Sequence, residues 1–261
     1  MPWKGHVMPG DMDDRILSER DKDRYHRQII IEGFGEQAQI KLGKAVVGVL
    51  GVGGLGSPAA MYLAAAGVGS IILVDDQIPE MSNLNRQVLH WLRDVSASRF
   101  KVESAAWKIK EMNDEVQVLE RCERVTQESI GSILSSADVI LDCTDNFETR
   151  FALNSFCVEK RKPFVHAGVD GMHGQITTII PQETPCLNCL FPRTPASKGE
   201  TPILGAVAGV FGSMQAAEAI KLITGSGSPL RGNMLVGDLS TNIWDLVQVV
   251  RDLSCPVCSG R

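Results

Sequence analysis

From residue 45 to residue 166 the chain alternates short apolar runs with stretches of helical period. Residues 45–50 form an unbroken apolar run, 57–66 a helix of mostly small residues, and 70–74 a second apolar run. Residues 99–113 carry Val102, Ala105, Ile109 and Met112 on one stripe, the mark of an amphipathic helix. A short strand is predicted at 116–119, a helix at 128–135, a buried strand at 138–143, a helix at 147–160 and an extended segment at 163–166. Strands that alternate with helices predict a doubly wound parallel α/β sheet. After Gly168 the grammar changes. Residues 174–180 and 233–238 read as strands, 212–223 as a helix, and 243–250 alternate like a half-exposed antiparallel strand. The expected fold is therefore Rossmann-like, with a parallel N-terminal half continued by antiparallel C-terminal strands.

Polarity places the boundaries. Residues 1–22 are polar and mixed in charge and read as a flexible leader. Residues 23–261 then form a single domain, with a nucleotide-binding half over about 45–168 and a second half over about 169–261. A short helix is expected at 37–42. Residues 45–74 hold no charge, which passes a crude transmembrane test. Seven glycines and Pro58 interrupt them, and two buried parallel strands with a crossover helix explain the apolarity better. The stretch 191–202 has little core character, as functional or mobile loops do.

Composition adds exclusions. With 44% hydrophobic and 22% charged residues the chain is ordinary for a soluble globular protein. A net charge of −5 argues against a nucleic-acid partner. No secretory signal is visible, so a cytoplasmic location with reduced thiols is expected for the seven cysteines.

Gly51-Val52-Gly53-Gly54-Leu55-Gly56 stands between the first strand and the first crossover helix. Backbone N–H groups and the positive end of a helix dipole converge there, as a nucleotide phosphate requires. Asp75 ends the second strand, where a carboxylate can accept ribose hydroxyls. Beyond it, Ser82, Asn83 and Arg86 form either a solvated loop or a phosphate-binding one. Asp145 follows the strand at 138–143 and can either hold Mg²⁺ or cap the next helix. Cys186-Leu-Asn-Cys189 and Cys255-Pro-Val-Cys258 together offer four thiolates to one tetrahedral zinc ion with no open position, a structural site. Cys122, Cys143 and Cys157 read as buried small hydrophobes.

These segments together resemble the MoeB/ThiF/HesA family, relatives of the ubiquitin-activating enzymes. The carriers are Arg24-Tyr-His-Arg-Gln28, the glycine loop, Ser82-Asn-Leu-Asn-Arg-Gln87, Lys101-Val-Glu103, Cys143-Thr-Asp-Asn146, residues 212–221 and both cysteine pairs. The resemblance implies adenylation, with MgATP, of the C-terminal glycine carboxylate of a ubiquitin-like sulfur-carrier protein ending in Gly-Gly. It implies that Gly53 and Gly54 approach the phosphates and that Asp75 holds the ribose. Ser82, Asn83, Arg86, Lys101 and Asn146 would surround the nucleotide, and Asp145 would serve the magnesium. Arg27 would reach the site of the other subunit of a homodimer. The loop at 196–205 lacks the cysteine that some members use in sulfur transfer, which puts a persulfide or thioester step in doubt. The glycine loop alone would fit an NAD- or FAD-dependent oxidoreductase, but that leaves Arg86, Lys101, Asp145 and the cysteines without a joint role. A variant that adenylates a small molecule or a tRNA base is the other alternative, and a silent interaction module on the same fold is a third.

Overall fold

The computed structural model describes residues 16–193 and 199–259. Three helices, α1 (Glu19–Arg24), α2 (His26–Ile29) and α3 (Gly35–Lys44), precede strand β1 (Val46–Leu50). Helix α4 (Gly56–Ala65) leads to β2 (Ser70–Val74). A 3-10 turn (Met81–Asn83), α5 (Leu92–Ser96) and α6 (Lys101–Met112) lead to β3 (Gln117–Arg121). Then come α7 (Ile130–Leu134), β4 (Val139–Asp142), α8 (Phe147–Lys160) and β5 (Phe164–Asp170). The rest comprises β6 (His173–Ile179), α9 (Leu187–Leu190), α10 (Gly205–Thr224), β7 (Asn233–Asp238) and β8 (Ile243–Gln248).

One sheet holds the strands in the order β3-β2-β1-β4-β5-β6-β7-β8. Pairing is parallel from β3 to β5 and antiparallel from β5 to β8. Chain order turns back between β1 and β4, where an open α/β sheet leaves a crevice beyond its carboxyl ends. Leu50 lies beside Val74 on one side and Asp142 on the other. The chains leaving β1, β2 and β4 therefore start level, at Gly51, Asp75 and Cys143.

The two-residue period of the strands separates the core into two layers. Val47, Val49, Ile71, Leu73 and Leu141 pack with α4, α6 and α10 in one cluster. Leu50, Ile72, Val74 and Ile140 pack with α7 and α8 in the other. Gly51 adopts φ +90°, and a Cβ there would stand 2.7 Å from the Cys143 carbonyl oxygen. At Gly56 a Cβ would overlap the Gly51 carbonyl oxygen. The loop is thus pressed against the exit of β4 so closely that side chains are excluded.

Several expectations from the sequence are corrected. Part of the stretch assigned to a leader is folded: Ser18 caps α1 through its Oγ, and Leu17 is buried. Residues 1–15 lie outside the described residues. Helix α10 begins at Gly205, not 212. Its early glycines look like helix breakers, but a Cβ at Gly212 would overlap the Leu55 carbonyl oxygen, so close packing on α4 explains that one. α10 is long and apolar enough to cross a membrane by length and composition, yet half of that stretch is buried, against α3, α4, β4, β5 and β6. Strand β5 continues to Asp170, because Gly168 pairs with Gln175 in a hairpin with β6. Strand β8 is exposed along its whole length, not on one face. Cys122 is exposed, whereas Cys143 and Cys157 are buried.

One buried polar chain ties the crossover after β2 to the glycine loop. His90 is 3% exposed; its Nε2 lies 2.7 Å from the Val52 carbonyl oxygen and its Nδ1 3.0 Å from Ser104 Oγ. Burial pulls its pKa from 6.5 to about 4, so the ring is neutral at pH 7. An unfolded chain protonates this ring near pH 6.5 and the folded one only near pH 4. Stability from this group is therefore full above pH 6.5 and is lost as pH falls toward 4. In urea titrations, wild type should lose about 3 kcal/mol more than His90→Gln between pH 7 and pH 4. Parallel losses would remove His90 as the source.

Candidate nucleotide-binding site and metal centre

Past β1, the Val52 N–H donates to Asp75 Oδ2 at 2.8 Å, which fixes the start of the glycine loop against the end of β2. The N–H groups of Gly53, Gly54 and Leu55 make no hydrogen bond within the described residues. They stand at the start of α4, where free amides and the helix dipole favour an anion.

Lys101 opens α6 and is 3% exposed. Its Nζ donates to Gln77 Oε1 at 2.7 Å. Burial holds its ammonium below the ordinary lysine range; Asp75 and Asp145 pull it back up and Arg86 lowers it further. Asp75, Arg86 and Asp145 thus all act on Lys101, as does Glu80, which the sequence reading did not single out. Burial raises the Asp75 carboxyl, with Lys101 opposing, and its two oxygens accept the Val52 and Gln77 N–H groups.

Arg86 lies against Gly54: a Cβ on that glycine would stand 3.4 Å from Arg86 Cγ. Arg86 Nη1 donates to the Ser82 carbonyl and to Asn85 Oδ1, both at 2.9 Å. Its Nη2 and Nε make no hydrogen bond within the described residues. Asn83 Oδ1 accepts the Glu80 N–H at 3.1 Å, and Ser82 Oγ lies 3.4 Å from Glu80 Oε2. The Ser82–Arg86 segment is thus an internally bonded turn whose guanidinium keeps open valences.

The two readings of Asp145 separate here. Asn146 caps α8, its Oδ1 accepting the Thr149 N–H at 2.9 Å. Asp145 is exposed and makes no hydrogen bond or ion pair within the described residues, so its carboxylate is available to a cation. Arg27 is exposed on α2 and makes no hydrogen bond or ion pair to this cluster within the chain.

A buried network behind Asp145 was not anticipated. Asp142 accepts from His166 Nδ1 and Thr144 Oγ, each at 2.7 Å, and Arg150 Nε is 3.6 Å away. Burial would raise the Asp142 carboxyl, but Arg150 and these hydrogen bonds outweigh it and hold it below the usual range. Arg150 donates to the Thr144 carbonyl at 2.6 Å. Gln215 on α10 donates to the Asp142 carbonyl at 2.8 Å and accepts from the Cys143 thiol at 3.3 Å. The legible signal was an acid ending a wholly apolar strand, which needs a partner. Its partner His166 lies on a different strand, so no spacing announces the pair.

Cys186, Cys189, Cys255 and Cys258 bring their sulfurs within 4.8 Å of one another. Three of the separations are 3.9, 3.6 and 3.5 Å. Four thiolates at 2.3 Å around a tetrahedral ion stand about 3.8 Å apart, so the cluster has the size that zinc requires. Val158 of α8 and Val257 pack around it. The loop at 196–205 falls partly outside the described residues, at 196–198.

Residues 25–257 match the ThiF family. The chain is 44% identical over 243 residues to the vegetative HesA protein of Trichormus variabilis, covering 93% of this chain and 91% of that protein. It is 40% identical over 248 residues to the SAMP-activating enzyme E1 of Haloferax volcanii, covering 93% and 90%. The solved structure of E. coli MccB with ATP superposes with a TM-score of 0.81 at 26% identity, covering 93% of this chain and 76% of that one. The match over nearly the whole chain, on the fold and cysteine cluster described above, makes this protein a member of the ThiF family and a nucleotidyltransferase.

Proposed function

We propose that the protein adenylates the C-terminal glycine carboxylate of a ubiquitin-like sulfur-carrier protein ending in Gly-Gly, consuming ATP and releasing pyrophosphate. The observation that carries this reading is the buried Lys101 ammonium, acted on by Asp75, Asp145 and Arg86 beside the unbonded amides of the glycine loop. A relative's name, SAMP-activating enzyme E1, and the ATP in the MccB structure support the same chemistry.

A C-terminal carboxylate has an ordinary pKa near 3.5 and is ionised at pH 7, so it needs no general base. One of its oxygens bonds to the α-phosphorus while the bond from that phosphorus to the bridging oxygen breaks. The electron pair leaves with pyrophosphate. The obstacle is an anion approaching a polyanion, and fixed positive charge lowers it. Lys101 and the open face of Arg86 supply that charge, with Arg27 reaching in from a second subunit of a homodimer. The Gly53 and Gly54 amides hold phosphate oxygens, Asp75 the ribose, and Ser82, Asn83 and Asn146 line the nucleotide. Asp145, whose carboxylate has no hydrogen-bond or ion-pair partner among the described residues, fits magnesium, which would add charge on the triphosphate. The cysteine cluster fits a structural zinc ion. The exposed apolar strand β8, with Ile243, Leu246 and Val247, suits docking of a protein rather than a metabolite.

ATP–pyrophosphate exchange against small proteins ending in Gly-Gly tests the reading. Exchange that appears only with short peptides or metabolites would change the substrate class. Arg86→Ala and Asp145→Ala should each cut exchange by at least about a hundredfold, the scale of one preorganised electrostatic contact. Near-normal exchange would remove that residue from the site. Metal analysis of protein purified without chelator should find about one zinc per chain, and stripping it should lower Tm by about 10 °C or more. A zinc-free protein of equal stability would sink the metal assignment.

A further inference from the structure

The polar chain behind the glycine loop has a direction. The Val52 carbonyl oxygen can only accept, so His90 Nε2, 2.7 Å away, carries the hydrogen. A neutral ring then leaves Nδ1 as an acceptor, and Ser104 Oγ–H, 3.0 Å away, is the donor that faces it; the same hydroxyl lies 3.2 Å from the Leu89 carbonyl, which already accepts from Lys108. Ser104 Oγ in turn accepts from the Lys108 ammonium at 2.8 Å. That ammonium, 5% exposed as a residue, directs its other hydrogens to the Leu89 carbonyl at 2.5 Å and to Asp94 Oδ2. Asp94 is fully buried and also accepts the Trp91 N–H at 2.8 Å. An ammonium has no acceptor and a carbonyl has no donor, so Lys108 at one end and Val52 at the other both favour a chain that donates from Lys108 through Ser104 and His90 to Val52.

Its end matters because a trans peptide points its C=O and N–H in opposite directions. Val52 C=O and Gly53 N–H belong to one peptide unit. Holding that carbonyl against His90 turns the Gly53 N–H the other way, and this is one of the amides without a protein partner. Asp75 fixes the N–H on the other side of Val52. Both peptides flanking Val52 are therefore clamped before any ligand arrives.

We propose that His90 is a positioning residue for nucleotide binding, oriented by Lys108, Asp94 and Ser104 so that the Gly53 amide is presented to a phosphate oxygen. This rests on the glycine loop holding nucleotide phosphates, as proposed above. Among the described residues no other group is placed to hold the Val52 carbonyl as firmly, since the Ser57 hydroxyl is 3.3 Å from it.

The test compares ATP with adenosine, binding each to the full zinc-loaded chain by calorimetry. His90→Leu should weaken ATP about tenfold, the scale of one hydrogen bond, and leave adenosine within about twofold. His90→Gln, which keeps a donor near Nε2, should recover most of the loss. Ser104→Ala, a milder change that folds if His90→Leu does not, should weaken ATP about threefold with adenosine unchanged. Equal weakening of both ligands, or none, overturns the proposal. The nitrogen-15 spectrum of labelled histidine, assigned against His90→Gln, should show the Nε2–H form at pH 7, and an Nδ1–H form overturns it too. Wild type that binds no ATP would instead refute the nucleotide reading itself, while the spectrum still decides the orientation of His90.

Discussion

In-register pairing of β1 with its two parallel neighbours is the constraint on which the site depends. Leu50 pairs with Val74 and with Asp142, so three loops leave the sheet at one level. A slip of one residue would reverse the face of every strand side chain and expose one of the two cores. It would also carry Asp75 away from the Val52 N–H and Gly51 away from Cys143. The apolar alternation that buries Val47 and Val49 on one side and Leu50 on the other therefore also aims the charged groups.

Hydrogen-bond completeness separates scaffold from chemistry among those groups. Asp142 is surrounded by His166, Thr144 and Arg150, as a carboxylate removed from water must be. Asp94 is likewise closed by Lys108 and the Trp91 N–H. Asp145, the outer nitrogens of Arg86 and three amides of the glycine loop keep unused valences at the same crevice. Arg150 Nε and His166 Nε2 in the Asp142 network, and Gln87 Oε1 beside Gly53, are buried without a hydrogen-bond partner, whereas Asp145 is open to solvent and so available to a ligand. Lys101 lies between these classes, since it is buried and, among the described residues, its ammonium is hydrogen-bonded only to the neutral amide of Gln77.

The parallel half of the fold was legible because the central strands β1, β2 and β4 are almost wholly apolar and α6 carries one apolar stripe, with the small-residue α4 between them. The glycine loop, Arg86, Lys101, Asp145 and the cysteine pairs were legible because each sits within a few residues of a strand end or a fixed spacing. What escaped was long-range or depended on context. The helix read at 212–223 begins at Gly205, because the glycines of its first two turns cost only propensity, which packing overrides. The extended segment read at 163–166 stopped short of Gly168, yet the β5–β6 hairpin continues through it, held by pairing with a strand further along the chain. His90 and His166 carried no local signal: their partners lie 14 to 38 positions away, and imidazole is at home in either a core or a site.

The cysteine cluster joins this architecture through α8. Helix α9 has four residues, too few to persist alone, and it is held by the cysteines at its ends. Asn154 of α8 accepts the Leu187 N–H and donates to Asn188 Oδ1, both at 2.9 Å, fixing α9 to that helix. The other cysteine pair lies 69 residues further on, so a bound ion would close a loop containing α10, β7 and β8. Closing a loop of that length removes several kcal/mol of freedom from the unfolded chain. From Asn154 the helix runs about 12 Å, two turns, to Asn146 and the Asp145 beside it. The ordering effect of a bound ion would thus reach the crevice through a rigid element with its own cap, which is how four clustered sulfurs can serve a site whose chemistry uses none of them.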